Sequence, residues 1–310
     1  MTFRLVTDRI RRQARNLGAQ SAAHLFLSAR IVGRGIVREK ATAQRAIPIL
    51  NLHRVSTLFP RHPMTMLPTE FRRLLAGLQR VYRFISLREL DEILDHGHNR
   101  DDLACLTFDD CYGCNYTYAV PILCELGIPA TFFVSTRYID SVEPFPHDVA
   151  TGHYDLPNFT SAQLRKMAEL PSLEIGSHSV SHIDFSKRAT AEDVTTELVA
   201  SRAALEQITG RAVTRFAVPW GTVGHCTAQV IEAARAAGYV RVYSHFGGRN
   251  LVVPGTRTGY VLNRICSQGE TPYVRACLEG YSGRYSFIPG RSERRRNWPR
   301  EFHPTDVRWV

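Results

Sequence analysis

Between residues 47 and 266 one pattern recurs: a short, mainly apolar run, then a longer stretch whose apolar residues fall at helical spacing. The strand-like runs lie at 47–52, 83–86, 103–108, 130–135, 173–177, 215–219, 239–244 and 261–266. The helical stretches lie at 68–81, 87–96, 116–126, 161–170, 191–209 and 227–237. Runs without polar alternation belong to strands buried on both faces, which means parallel strands covered by helices. Thr190, with Asp193 three residues on, reads as a capping box. Gly127, Gly210 and Gly238 stand just past helix ends, where a left-handed cap favours glycine. Seven or eight such units over roughly 230 residues suit a (β/α) barrel better than an open sheet. A doubly wound sheet is the alternative, since pattern alone does not show closure.

Charge divides the chain differently. Residues 1–46 carry ten Arg or Lys against two Asp or Glu, and 284–310 carry seven against three. The body between them carries 22 against 24, so the formal charge of +10 belongs to the ends. We therefore expect a basic N-terminal extension (1–46), one barrel domain (47–283) and a basic C-terminal tail (284–310). Ile10, Ala14, Leu17, Ser21 and Leu25 fall at helical spacing in the extension. This fits a basic helix in peripheral contact with an anionic membrane, a helix packed on the body or a loosely ordered extension. Nucleic acid is not expected as a partner, because a solvated charge run accounts for Arg294-Arg295-Arg296.

No apolar run reaches the ~18–20 residues of a membrane-spanning helix. The stretch Ala22–Leu27 is shorter and more polar than a secretory core, so cytoplasmic residence is expected. Seven cysteines cannot all pair, and Cys105 and Cys124, in apolar runs, read as buried reduced thiols. G-x-G-x-x-G, G-x-x-x-x-G-K and G-x-S-x-G are absent, which argues against dinucleotide, nucleotide and serine-hydrolase sites.

Barrels of this kind place function at the carboxyl ends of their strands. One strand ends in Asp109-Asp110, a pair that also suits a helix N-cap with a charged companion. Another is followed by His178-Ser179-Val180-Ser181-His182. Two histidines four apart in one helical turn share a face and suit Zn²⁺ or another divalent transition metal. Asp110 or Asp109 can add the third ligand, and the other can take a proton from bound water. Pro219-Trp220-Gly221 at a third strand end offers an aromatic wall for a sugar ring, or a core cap. His53 ends the first strand and can protonate a leaving amine, or serve a structural purpose.

Thr107-Phe108-Asp109-Asp110, His178-Ser179-Val180-Ser181-His182 and Phe216–Gly221 together resemble the three motifs of the polysaccharide deacetylases. These are the NodB-homology proteins, or carbohydrate esterase family four. The resemblance covers about 47–266 and implies a distorted (β/α)7 barrel, related to the TIM barrel, that hydrolyses N-acetyl groups on amino-sugar glycans. It implies Asp109 as base, Asp110, His178 and His182 as ligands of zinc or another divalent ion, and a backbone N–H near Tyr112 in the oxyanion hole. Cys111 stands where the family has glycine, and Ala217 where many members have arginine. No leucine-x-histidine follows Trp220. Asn51–Val55 and Leu262-Asn263-Arg264-Ile265 instead resemble the poly-N-acetylglucosamine deacetylase branch, in which an early strand supplies the acid; that implies His53. Alternatives are a hydrolase of small N-acylated molecules, a non-catalytic glycan-binding relative and a separate site at Cys111-x-x-Cys114.

Overall fold

A computed structural model describes residues 45–266, apart from 153–154, 188, 223, 246–249 and 251–259. Residues 1–44, the tail 284–310 and the last part of the expected barrel domain lie outside the described residues. So do all three readings of the extension, the membrane contact, the packing on the body and the loose order.

The first strands are β1 (Ile49–Leu52), β2 (Arg54–Val55) and β3 (Thr65–Met66), followed by α1 (Pro68–Leu78), β4 (Arg83–Phe84) and α2 (Leu87–His96). Next come β5 (Leu103–Phe108), α3 (Cys114–Leu126), β6 (Ala130–Val134), α4 (Pro146–Ala150), α5 (Ser161–Glu169) and β7 (Leu173–Ser177). The series ends with α6 (Ala191–Thr209), β8 (Arg215–Ala217), α7 (Ala228–Ala236), β9 (Arg241–Tyr243), β10 (Val261–Leu262) and β11 (Ile265–Cys266). The sequence pattern identifies these elements well, save the short β2, β3 and α4. The capping box at Thr190 is formed, and Gly127 and Gly210 cap their helices with φ of 64°.

All sheet pairings are parallel, in the order β10-β9-β8-β7-β6-β5-β1-β11. The expected strand 261–266 is broken at Asn263-Arg264, and its halves pair with opposite ends of the sheet. Val261 stands against Val242 of β9, and Ile265 against Leu50 of β1. One six-residue segment thus closes a distorted (β/α)7 barrel. β4 lies off this ring, against the first residues of β5, below the part that meets β6.

Strand alternation sorts the core into two layers. Leu50, Ala104, Leu106 and Phe108 face the helices. Ile49, Leu103, Cys105, Phe133, Tyr243 and Leu262 fill the barrel with Leu87, Leu90 and Leu94 of α2. These leucines fall at i, i+3 and i+7, so one stripe of α2 plugs the amino-terminal end of the barrel. Each fully buried leucine contributes about 1.5–3 kcal/mol. The plug is capped by Ser86, whose Oγ accepts from the Glu89 N–H, and by Gly97 at φ 75°. Asp91 of α2 accepts from Arg215 (2.6 Å) and Arg241 (2.9 Å), at the starts of β8 and β9.

Among the described residues no helix is long and apolar enough to cross a membrane. Cys105 is buried as expected, but Cys124 is exposed, on the solvent side of α3. Burial pushes the Cys111 thiol up strongly and the Cys114 thiol to about 12. Neither is in a disulfide, and both are buried. Native-state alkylation at pH 7, followed by peptide mass mapping, should label Cys124 and spare Cys105, Cys111 and Cys114 until the protein is unfolded.

Candidate functional site

The alternation that points Leu103 and Cys105 into the barrel does the same for Thr107 and Asp109, nearer the mouth. Asp109 continues the ladder, its N–H donating to Leu52 O (2.9 Å). The break in the closing strand supplies its partner. Arg264 Nη1 donates to Asp109 Oδ1 (2.6 Å) and Nη2 to Oδ2 (2.7 Å), a two-pronged contact between buried groups. Asn51 Nδ2 also donates to Oδ2 (3.0 Å). Burial alone would raise the Asp109 carboxyl; the Arg264 guanidinium, with His178 nearby, overrides it and holds Asp109 at about 2.

On a regular strand Asp110 would point away from Asp109. Its φ of 73° turns the chain, and both carboxylates face the mouth. Asp110 Oδ1 lies 3.7 Å from His178 Nε2 and 3.2 Å from His182 Nε2. Both its oxygens are buried without a hydrogen-bond partner. Burial works against its ionisation, yet the adjacent His182 brings its carboxyl below the ordinary carboxylate range.

His178 is positioned by its N–H donating to Val134 O (3.0 Å). Its Nδ1 lies 2.8 Å from Ala217 O, which accepts only from a protonated nitrogen, so the Nε2 lone pair faces Asp110. Burial lowers His178 to about 4, leaving it neutral. The expected helical turn over 178–182 is not formed. Ser179 (φ 65°) and His182 (φ 57°) are left-handed, and a tight loop brings the two ring centroids within 5.0 Å. The loop is held by Glu197 of α6, which accepts from the N–H groups of Val180 (2.8 Å) and Ser181 (2.9 Å) and from the Ser181 hydroxyl (2.6 Å). One ligand atom each from Asp110, His178 and His182 lies within 4.8 Å of the others. Two imidazoles and a carboxylate with orphaned oxygens fit a divalent ion with room for water.

The remaining expected residues are distributed around this group. His53 follows β1, partly buried, and its Nδ1 is enclosed without a partner. Trp220 (φ 63°) is 48% exposed, its ring 5.5 Å from that of His182. Pro219 is buried, so it shapes the turn and offers little surface. The Tyr112 side chain is buried as well, its hydroxyl donating to Asp148 Oδ2 (2.6 Å). Cys111, expected beside the metal, instead packs in the outer apolar layer.

Three contributors carry no legible signal of their role. Arg264 stands in a quoted motif, but only the strand break aims it at Asp109. Glu197 lies on an ordinary helix face. His147, on the short α4, has Nε2 2.9 Å from the Tyr112 hydroxyl and 3.6 Å from Asp110 Oδ2.

Residues 96–242 match the family model described as polysaccharide deacetylase. Bacillus subtilis YxkH, named as a polysaccharide deacetylase, is 27% identical over 134 residues, 43% of this chain and 41% of that protein. The match thus spans about two-fifths of that relative's length. Streptococcus pyogenes deacetylase PplD, solved with acetate, superposes with a TM-score of 0.61 at 23% identity, over 76% of this chain and 99% of its own. IcaB from Ammonifex degensii gives 0.61 at 21% identity, over 76% and 98%. At these identities the superpositions establish the shared fold.

Removing Arg264 leaves a buried carboxylate unpaired. Arg264→Met should cost about 3–5 kcal/mol in denaturant unfolding at pH 7. In the native protein the depressed Asp109 pKa adds stability that is complete above about pH 4 and fades as pH falls toward 2. The gap between native and variant should therefore narrow over that window.

Proposed function

We propose that this chain, which carries a polysaccharide deacetylase domain, is a metal-dependent hydrolase that removes N-acetyl groups from an amino-sugar glycan and releases acetate. The observation that carries this reading is the orphaned, buried Asp110 carboxylate facing two imidazole nitrogens, with a separately tethered carboxylate beside it. Asp110, His178 and His182 hold the ion, zinc or another divalent transition metal. When bound, that ion supplies a Lewis acid for the acetyl carbonyl and lowers the pKa of a water.

Asp109 accepts the proton of the attacking water. The Arg264 and Asn51 contacts fix its orientation and keep it ionised at neutral pH. The Tyr112 N–H stabilises the oxyanion. It is available because the backbone bonds around it run from Gly113 N–H to Pro157 O and from Phe159 N–H to Cys111 O, leaving Tyr112 in a non-hydrogen-bonded pair with Asn158. His53 protonates the departing amine. Trp220 and the turn made by Pro219 offer a face on which a sugar ring stacks.

The two departures from the family pattern do not favour a non-catalytic binding protein. Cys111 packs away from the mouth, and Arg264 supplies the cation beside Asp109 that Ala217 lacks. The free cysteines among the described residues accord with a cytoplasmic setting, where the extension 1–46 can meet an anionic membrane face.

Acetate release from N-acetylglucosamine oligomers should vanish with a chelator and return with added Zn²⁺ or another divalent ion. Asp109→Asn should bind the ion and lose roughly 10²–10⁴-fold in rate. His178→Ala should lose ion and activity together. Full activity in either variant, or release indifferent to chelation, overturns the reading; turnover confined to small N-acylated molecules would reassign the substrate.

A further inference from the structure

His245 follows β9 at the mouth and lies on Asn51, the residue that also holds Asp109. Its backbone N–H donates to Gly221 O (2.7 Å). Gly221 has φ 57°, and a Cβ there would fall 2.7 Å from that nitrogen and 2.9 Å from the His245 Cβ. Only glycine lets the loops after β8 and β9 close on each other here.

The protonation form of His245 follows from its neighbours. Arg264 Nη1 donates to Asn51 Oδ1 (3.1 Å). A guanidinium cannot accept, so the Asn51 amide cannot be turned round. Its NH₂ end therefore donates to Asp109 Oδ2 (3.0 Å) and faces His245 Nδ1 (3.4 Å). Nδ1 must accept, which places the proton on Nε2. The charged and titratable groups that act most on the ring are Arg264, His53, Asp109 and His178. Burial and Arg264 hold the ring near 4, neutral at physiological pH. No described residue takes up Nε2.

We infer that His245 is a substrate-positioning residue whose uncharged Nε2–H donates to a hydroxyl oxygen of the sugar that carries the acetyl group. The inference rests on the glycan reading above. It divides the work of His53 and His245: His53 delivers a proton to the amine, and His245 keeps its own.

The test compares two substrates, an N-acetylglucosamine oligomer and an aryl acetate that has no sugar hydroxyls. His245→Phe should raise KM for the oligomer about tenfold, the worth of one neutral hydrogen bond. Its kcat should hold within about threefold, and its aryl acetate kinetics should match the native protein. His245→Gln, which keeps a neutral N–H, should recover most of the loss. A kcat loss on both substrates, a shifted basic limb of the pH profile, or no change on either overturns the inference. ¹⁵N NMR of histidine-labelled native protein needs no variant: His245 should be the Nε2–H tautomer at pH 7, and its Nε2 signal should move on adding the oligomer. An Nδ1–H or doubly protonated ring, or an unmoved signal, overturns it. If native protein releases acetate from neither substrate, the deacetylase reading fails, while the NMR titration still decides the sugar contact.

Discussion

A carboxylate with almost no exposed surface needs a counter-charge, and the barrel is arranged around meeting that need for Asp109. Its partner, Arg264, comes from the two residues at which the closing strand leaves β9 and joins β1. Closing the ring and fixing the carboxylate are therefore one structural event. Asn51 ties the same pair to β1 and passes the constraint on to His245.

Around this fixed point the mouth is built from strained backbone. Among the described residues six non-glycine residues have positive φ, and Asp110, Ser179, His182 and Trp220 stand on the loops after β5, β7 and β8. Such conformations cost of order 1–3 kcal/mol each and persist where neighbours over-determine them. Glu197 does so for the histidine loop with three accepted hydrogen bonds, while the Ala217 carbonyl orients the His178 ring.

Much of this was legible in the residues. Continuous apolar runs such as Leu103–Phe108 indicate buried parallel strands, and the strand ends point to Asp109, Asp110, His178 and His182. The helical turn expected at 178–182 failed because spacing reports separation along the chain, whereas left-handed Ser179 and His182 set the geometry. The break at Asn263-Arg264 was hidden because Val261–Cys266 reads as one strand; only the pairing of its halves with different neighbours reveals the kink. Cys124 sits in an apolar run, yet α3 turns it outward, since a helix that covers a sheet keeps one side wet. His147 and Glu197 act through tertiary placement, which periodicity does not encode.

The leucine stripe of α2 has a consequence for traffic. With one end of the cylinder stoppered, the pit is blind, and whatever descends to the carboxylates must back out by the same opening. A chain of any length cannot be reeled through the pit from end to end.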